Sequence, residues 1–501
     1  MKKQLIASSI FRFLERGIVV VTSLLLTPFL IGELGEHDYG LWILIISVLG
    51  WFNVINLGFP SAVQRHITLA LEHADHQKVN VVFSTSLLLF GVLGIFAAAG
   101  LLVLASFPSI FGINTLDQST LALALTIFCL KVLWDFLMNA IHGFFAGLLR
   151  YDIDANISSF NAIAKALMVY MLVTDLNIMG AIIATLVADF IANILKVIYA
   201  KRIYPQLSFS YKNAQWHEVK ALFAFSKHVI AAGIAKSINT KADPILVTKL
   251  FDLSSVALYS IAVRLTSHVQ AFVSSVTGIF SPVFTKMAAK NIDMEEMFNR
   301  TVSINFFVAA TLFLPLLIFG GLFIRLWVGD GFIDAIVLLG FLAFSFICLS
   351  ISEAVKNILF AQAKHQLITI INLIGAIFNI ALSVILAQKW GLLGVAAGTA
   401  IGFFISDIIF NLILLKRYNN YQLWPVIKTF ITAVIIIYVV GLSGQYLVTQ
   451  YLSVSWLALI IAGAISLPFI VILNWLLLLD SEMKQKTYQL LANKLKRKNK
   501  Q

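Results

Sequence analysis

Charge is scarce in this chain. Of its 501 residues only 12% are Asp, Glu, Lys or Arg, about half the share found in soluble domains. Cysteine is scarcer still: Cys129 and Cys348 are the two in the sequence, each deep in an apolar run and without metal-ligand spacing. A disulfide framework and a cysteine zinc site are thereby excluded, and both thiols read as small hydrophobes. No GxxxxGK[ST] run is present, which removes the phosphate cradle of an ATP-driven pump. What the chain has instead is 60% hydrophobic residues, 40 of them Phe, and a mean hydropathy of +0.93. That is the composition of a membrane protein.

The apolar residues fall in repeated stretches, so a single anchor with a soluble domain does not fit. The stretch 81–106 is apolar on every side rather than alternating, which excludes the strands of an outer-membrane barrel. The expected class is an all-α polytopic membrane protein. Fourteen candidate spans stand out, near 10–31, 39–60, 81–107, 119–143, 154–174, 178–200, 221–247, 254–281, 300–324, 333–357, 366–387, 392–415, 424–447 and 455–479. The first contains Arg12, Glu15 and Arg16 and lacks a small-residue cleavage pattern, so it reads as a retained helix rather than a leader.

With the N-terminus in the cytoplasm, 22 Lys and Arg fall on the inner side and three, Lys249, Arg325 and Lys389, on the outer. The positive-inside rule then places both termini in the cytoplasm. The basic stretch 494–500 is explained by anionic lipid, without a nucleic-acid partner. An internal offset of 214 residues places Gly180 on Gly394, Thr185 on Thr399 and Phe190 on Phe404. Two parallel six-helix lobes, 1–205 and 206–420, are expected to form a V-shaped cavity, followed by two further spans in 421–480 and a basic tail in 481–501.

Ionisable residues within a span are costly and usually face a wet cavity or a charged partner. Lys131, Lys236, Lys241 and Arg264 are expected near mid-depth, with Arg12 and Arg16 nearer the cytoplasmic end of the first span. Their surplus over acids would suit an anion such as a diphosphate, for which Arg supplies a fork of donors and Lys a mobile charge. The competing reading pairs Lys131 with Asp135, four residues on along the same helix face. Lys165, Glu353 and Lys356 complete the interior charges. Asp135, Asp189, Asp243, Pro244, His268 and Asp407 are candidates for coupling or gating, and the Asp243-Pro244 step joins a charge to a helix-breaking residue.

The segment 32–67 carries Leu34-Gly35, Tyr39-Gly40-Leu41-Trp42, Asn56-Leu57-Gly58-Phe59 and Arg65. It resembles the prokaryotic polysaccharide-biosynthesis flippases, the lipid-linked oligosaccharide branch of the multidrug/oligosaccharidyl-lipid/polysaccharide exporter superfamily. The resemblance implies movement of a polyprenyl-diphosphate-linked oligosaccharide to the outer leaflet by alternating access. It further implies a cationic cavity supplied by Arg12, Arg16, Lys131, Lys236, Lys241 and Arg264, no cofactor, a coupling ion (H+ or Na+) left open, and glycan polymerases or ligases as partners. A cation-coupled multidrug exporter, a murein lipid-precursor flippase and a membrane glycan-processing enzyme are the alternatives. The enzyme would normally need a larger outer loop than the sequence provides.

Overall fold

In hydrocarbon a backbone N–H or C=O has no water to bond, so a spanning segment must pair its polar groups within itself. In the computed structural model the membrane-length apolar segments among the described residues are helical. The structure describes residues 2–52, 59–362, 364–485 and 489, with the side chains at 2–10, 225–232, 235, 236, 239, 240 and 365 outside the described set. The helices are α1 (Lys2–Phe52), α2 (Phe59–Glu72), α3 (His76–Ser106), α4 (Thr115–Gly147), α5 (Tyr151–Ile203), α6 (Trp216–Leu250), α7 (Leu253–Gly278) and α8 (Ser281–Ala289). They continue as α9 (Glu295–Val328), α10 (Ala335–Ala361), α11 (His365–Trp390), α12 (Leu392–Phe403), α13 (Asn411–Asn419), α14 (Trp424–Ile435), α15 (Gly441–Tyr451) and α16 (Trp456–Leu478). π-helical turns at Phe404–Phe410 and Ile436–Val440 join α12 to α13 and α14 to α15.

Among the described residues, eleven helices are long and apolar enough to cross a membrane. The sequence separates fourteen spans, and part of the difference lies in two helices that contain a break. α5 has 53 residues, which would extend about 80 Å if straight, against a hydrocarbon core of about 30 Å. It is non-helical at Asn177, with φ 48° and ψ −136°. Asn161 reaches Asp189 across 2.7 Å, although 28 residues of straight helix would separate them by about 42 Å. The chain therefore turns back on itself at Asn177. α1 is likewise interrupted, at Gly35, where φ is 75°.

The chain divides into two units, Met1–Ala257 and Leu258–Gln501. α6, grouped with the second lobe in the sequence reading, lies in the first unit. That unit has an aromatic core in which Phe59 packs edge-on against Phe90 and Phe83 against Phe144, with ring centroids 5.6 and 5.8 Å apart. Gly40 of the Tyr-Gly-Leu-Trp motif lies against the start of α7, where a Cβ would sit 1.8 Å from the Leu253 carbonyl oxygen. Glycine is the residue that fits there.

The 214-residue offset has a structural counterpart. Asn177 is matched by Gly391, at φ 59° and ψ −139°, where α11 turns back into α12. Gly180 lies against Leu172, and Gly394 against Leu386, with a Cβ in either case only 2.2 Å from the carbonyl oxygen. Further along the second hairpin Gly398 and Gly402 meet the backbone of Ser383 and Asn379. The corresponding first-hairpin positions, Ala184 and Ala188, are also small and buried. Small residues at four-residue spacing let two helix backbones approach closely in a membrane. The two units thus contain the same hairpin, built by the same rule.

Candidate functional site

Three helix faces in the first unit carry polar residues at helical spacing. On α4 they are Lys131, Asp135, Asn139 and His142; on the first half of α5, Asp154, Asn161 and Lys165; on its second half, Asp189, Asn193 and Lys196. Spacings of four, seven and eleven residues return to one side of an α-helix. The α5 hairpin then brings its two stripes together beside that of α4. From Lys131 to His142 the seam runs about 16 Å, roughly half the hydrocarbon thickness.

At the Lys131 end of the seam, Lys131 Nζ lies 2.5 Å from Asp135 Oδ2 and 2.7 Å from Asp189 Oδ2. Lys165 Nζ lies 2.8 Å from the other Asp189 oxygen, to which Asn161 donates at 2.7 Å. Two ammonium groups thus stand among two carboxylates, and the quartet is formally neutral. At the other end Lys196 is 2.9 Å and His142 3.0 Å from Asp154 Oδ1. Glu15 lies within electrostatic reach of Asp154, Lys196, Arg12 and Arg16.

Arg12 and Arg16 are exposed on the neighbouring stretch of α1. The Arg12 guanidinium lies over the Tyr151 ring, 3.9 Å from its centroid, and Gln64 Nε2 donates to the Tyr151 hydroxyl at 2.8 Å. Among the described residues, neither arginine has a carboxylate within salt-bridge distance. A guanidinium braced by its face keeps its edge, where its N–H donors point, available for an anion.

Lys241 is also in the first unit, where its ammonium donates to the Gly50 carbonyl at 3.0 Å while the Trp51 indole donates to the Lys241 carbonyl at 3.2 Å. Asp243, two residues further on, is buried. α6 continues through Pro244 without a non-helical residue, a correction to the expected break. Proline removes one intrahelical bond, while the Pro244 carbonyl accepts from the Thr248 hydroxyl at 2.8 Å. The side chain of Lys236 lies outside the described residues.

In the second unit Arg264 and His268 are half-buried on α7. Asp407 sits buried in the first π-helical turn, accepting from Ser352 and Ser406 and electrostatically coupled to Lys356. Lys356 Nζ is 3.0 Å from Glu353 Oε1. The second hairpin has diverged from the first in chemistry: Asn379, in the position of Lys165, accepts from the hydroxyls of Ser383 and Thr399, each at 3.1 Å. Sequence inspection singles out Lys131, Asp189 and Lys165 but misses Asp154 and His142, because both stand near span ends. The stripe spacing carries the missing signal.

Among the described residues, one His/acid group has close metal-ligand atoms: His37, Asp38 and Asp117. His37 already directs its two ring nitrogens to the two carboxylates, at 3.1 and 3.2 Å, as a bridge between α1 and α4.

A family model described as "Polysaccharide biosynthesis protein" matches residues 2–288. The chain is 25% identical over 468 residues to an uncharacterised membrane protein EpsK of Bacillus subtilis, with 89% of each chain covered. It is 21% identical over 436 residues to a Shigella flexneri protein named "Putative O-antigen transporter", covering 83% of this chain and 99% of that one. Its fold is similar to a solved lipid II flippase MurJ in an inward closed conformation, with a TM-score of 0.72, 17% identity and coverage of 93% of this chain and 98% of that one.

Proposed function

The chain belongs to the polysaccharide biosynthesis protein family, and from that premise we propose that it flips a polyprenyl-diphosphate-linked oligosaccharide from the inner to the outer leaflet of a bacterial cytoplasmic membrane. The observation that carries this reading is the Arg12 guanidinium, held over Tyr151 beside the polar seam with no carboxylate within salt-bridge distance among the described residues. A sugar-diphosphate head cannot cross hydrocarbon unaided, because burying its charge and hydroxyls without partners is costly. Its lipid tail can stay in the bilayer while the head passes through a wet cleft.

In this proposal fourteen spans line a wet cleft that opens alternately to the two sides of the membrane. Arg12 and Arg16 receive the diphosphate from the cytoplasm, and Lys236, Lys241 and Arg264 provide further cationic positions. Lys131 acts within its neutral quartet and positions the helices rather than gripping cargo. Asp189, Asp135, Asp243, His268 and Asp407 remain the candidates for coupling to an ion. Binding must stay reversible, since a head held equally tightly in both states would shift no equilibrium.

The test is a null strain analysed for polyprenyl-linked sugar by leaflet. Accumulation on the cytoplasmic side, relieved by the wild-type gene but not by Arg12→Ala or Arg264→Ala at equal protein level, is the expected result. Normal export in both variants would overturn the cavity assignment, and no accumulation in the null strain would overturn the function. One observation favours a murein lipid precursor as a second reading: the likeness to a lipid II flippase extends over 98% of that chain. Trapped precursor carrying a peptide would identify that cargo.

A further inference from the structure

The second unit contains a polar cavity away from the seam. Its volume is about 740 Å³, and its walls come from three connections: 288–294 between α8 and α9, residues 361, 362 and 364 between α10 and α11, and 418–421 between α13 and α14. The Lys and Arg asymmetry assigns all three loops to the cytoplasmic face, at the level of the inner headgroups. Asn291, Asp293, Gln362, Lys364, Tyr418 and Asn419 supply polar wall, while Ile292 and Met294 supply apolar wall.

The walls are fixed by their own bonding. Tyr421 is buried against Phe298, with ring centroids 6.1 Å apart, and the next backbone N–H, that of Gln422, donates to Glu295 at 2.6 Å. Asn420 takes the left-handed conformation at φ 56° and its N–H closes the end of α13 on the Lys416 carbonyl. Nearby acids are engaged: Glu295 holds that N–H, one Asp293 oxygen accepts from the Glu295 backbone N–H at 3.2 Å and leaves the other for a donor, and Glu296 and Glu482 both pair with Arg300. Lys364 is different. Its ammonium stands 4.8 Å from the Tyr418 ring centroid, and among the described residues it has no carboxylate within salt-bridge distance. Lys290 and Arg417 flank the same loops and are exposed.

We infer that this cavity binds the headgroup of an inner-leaflet phospholipid, its phosphodiester at Lys364 and its terminal hydroxyl or ammonium at Asp293 and the neighbouring amides. The chemistry of the wall matches in order. An ammonium without a carboxylate partner attracts a phosphate, and the carboxylate of Asp293 accepts from a donor-bearing head such as glycerol or ethanolamine. Ile292 and Met294 accommodate the glycerol backbone where it enters hydrocarbon. A pocket that offers a cation for the phosphate at the cytoplasmic ends of helices is suited to such headgroups, and the membrane presents them at high local concentration. The occupied cavity would hold three loops of the second unit together, irrespective of what cargo the protein moves.

The full-length protein in phosphatidylcholine nanodiscs doped with phosphatidylglycerol, analysed by native mass spectrometry, tests the inference. Wild type is expected to retain one phosphatidylglycerol, and Lys364→Ala and Lys364→Gln to weaken retention roughly tenfold. Lys364→Arg should keep it, and Lys220→Ala in the first unit should leave it unchanged. Equal retention by wild type and both neutral variants would overturn the site. Displacement of the lipid by millimolar glycerol 3-phosphate would show a soluble phosphate ester as the ligand and overturn the lipid assignment.

Discussion

Lys131 on α4 and Asp189 on the returning half of α5 form an ion pair at 2.7 Å, and through it two helices are joined inside the apolar part of the first unit. The same ammonium also holds Asp135, so its removal exposes two carboxylates to a low-dielectric surrounding. Breaking a buried pair from one side leaves an uncompensated charge and typically costs about 3–5 kcal/mol. Lys131→Met should therefore lower the thermal midpoint of the purified protein strongly. Lys131→Met combined with Asp135→Leu should recover much of the loss, because the remaining Lys165 and Asp189 still balance. Additive losses in that double-mutant cycle would argue against a coupled quartet.

The hairpin glycines make a second prediction. Gly180→Ala and Gly394→Ala each put a Cβ 2.2 Å from a backbone oxygen, so the helices must separate, at a cost of about 1–3 kcal/mol. Gly463→Ala meets nothing within 4 Å and gains helix propensity. Thermal unfolding in one detergent compares all three. Similar midpoints for Gly180→Ala and Gly463→Ala would contradict the close approach.

Outside the spans, Glu218 at the start of α6 supports a pH prediction. Burial raises the pKa of its carboxyl, but the hydrogen bond and charge of Lys78, with His66 and His217 alongside, outweigh burial and hold it below the usual glutamate value. A carboxyl with a depressed folded-state pKa contributes stability that is complete above its unfolded value and lost as pH falls through the folded one. The thermal midpoint should decline on acidification below about pH 4.5, the ordinary glutamate value. Glu218→Gln should start lower and show a shallower decline over that range. An unchanged slope would remove Glu218 from the account.

Tyr151 separates packing from hydrogen bonding at Arg12. Tyr151→Phe keeps the ring under the guanidinium and loses only the hydroxyl that accepts from Gln64. Glycan export should remain close to wild type. Tyr151→Leu removes the aromatic face, worth about 0.5–2 kcal/mol to the cation, and should reduce export several-fold at equal protein level. Equal export by the two variants would show that the stacking has no functional weight.

Much of the architecture was legible in the residues. The apolar runs mark the helices, and the positions around Gly180 and Gly394 mark a repeat that the two hairpins bear out in backbone geometry. The candidate site was legible only in part. Lys131 could be read with Asp135 from spacing along one helix, but its second partner, Asp189, is 58 residues away. Asp154 looks like an ordinary first-turn acid until the hairpin sets Lys196 against it.

Composition and periodicity by themselves determined that this chain is a polytopic α-helical membrane protein, because the cost of unpaired backbone in hydrocarbon leaves a long apolar segment little choice but a helix. The residues 214 apart likewise pointed to duplication. Tertiary structure decided which charges neutralise one another. A charge is compensated by whatever lies within a few ångströms, and in this fold those neighbours come from the far arm of a hairpin as well as from the next turn of the same helix.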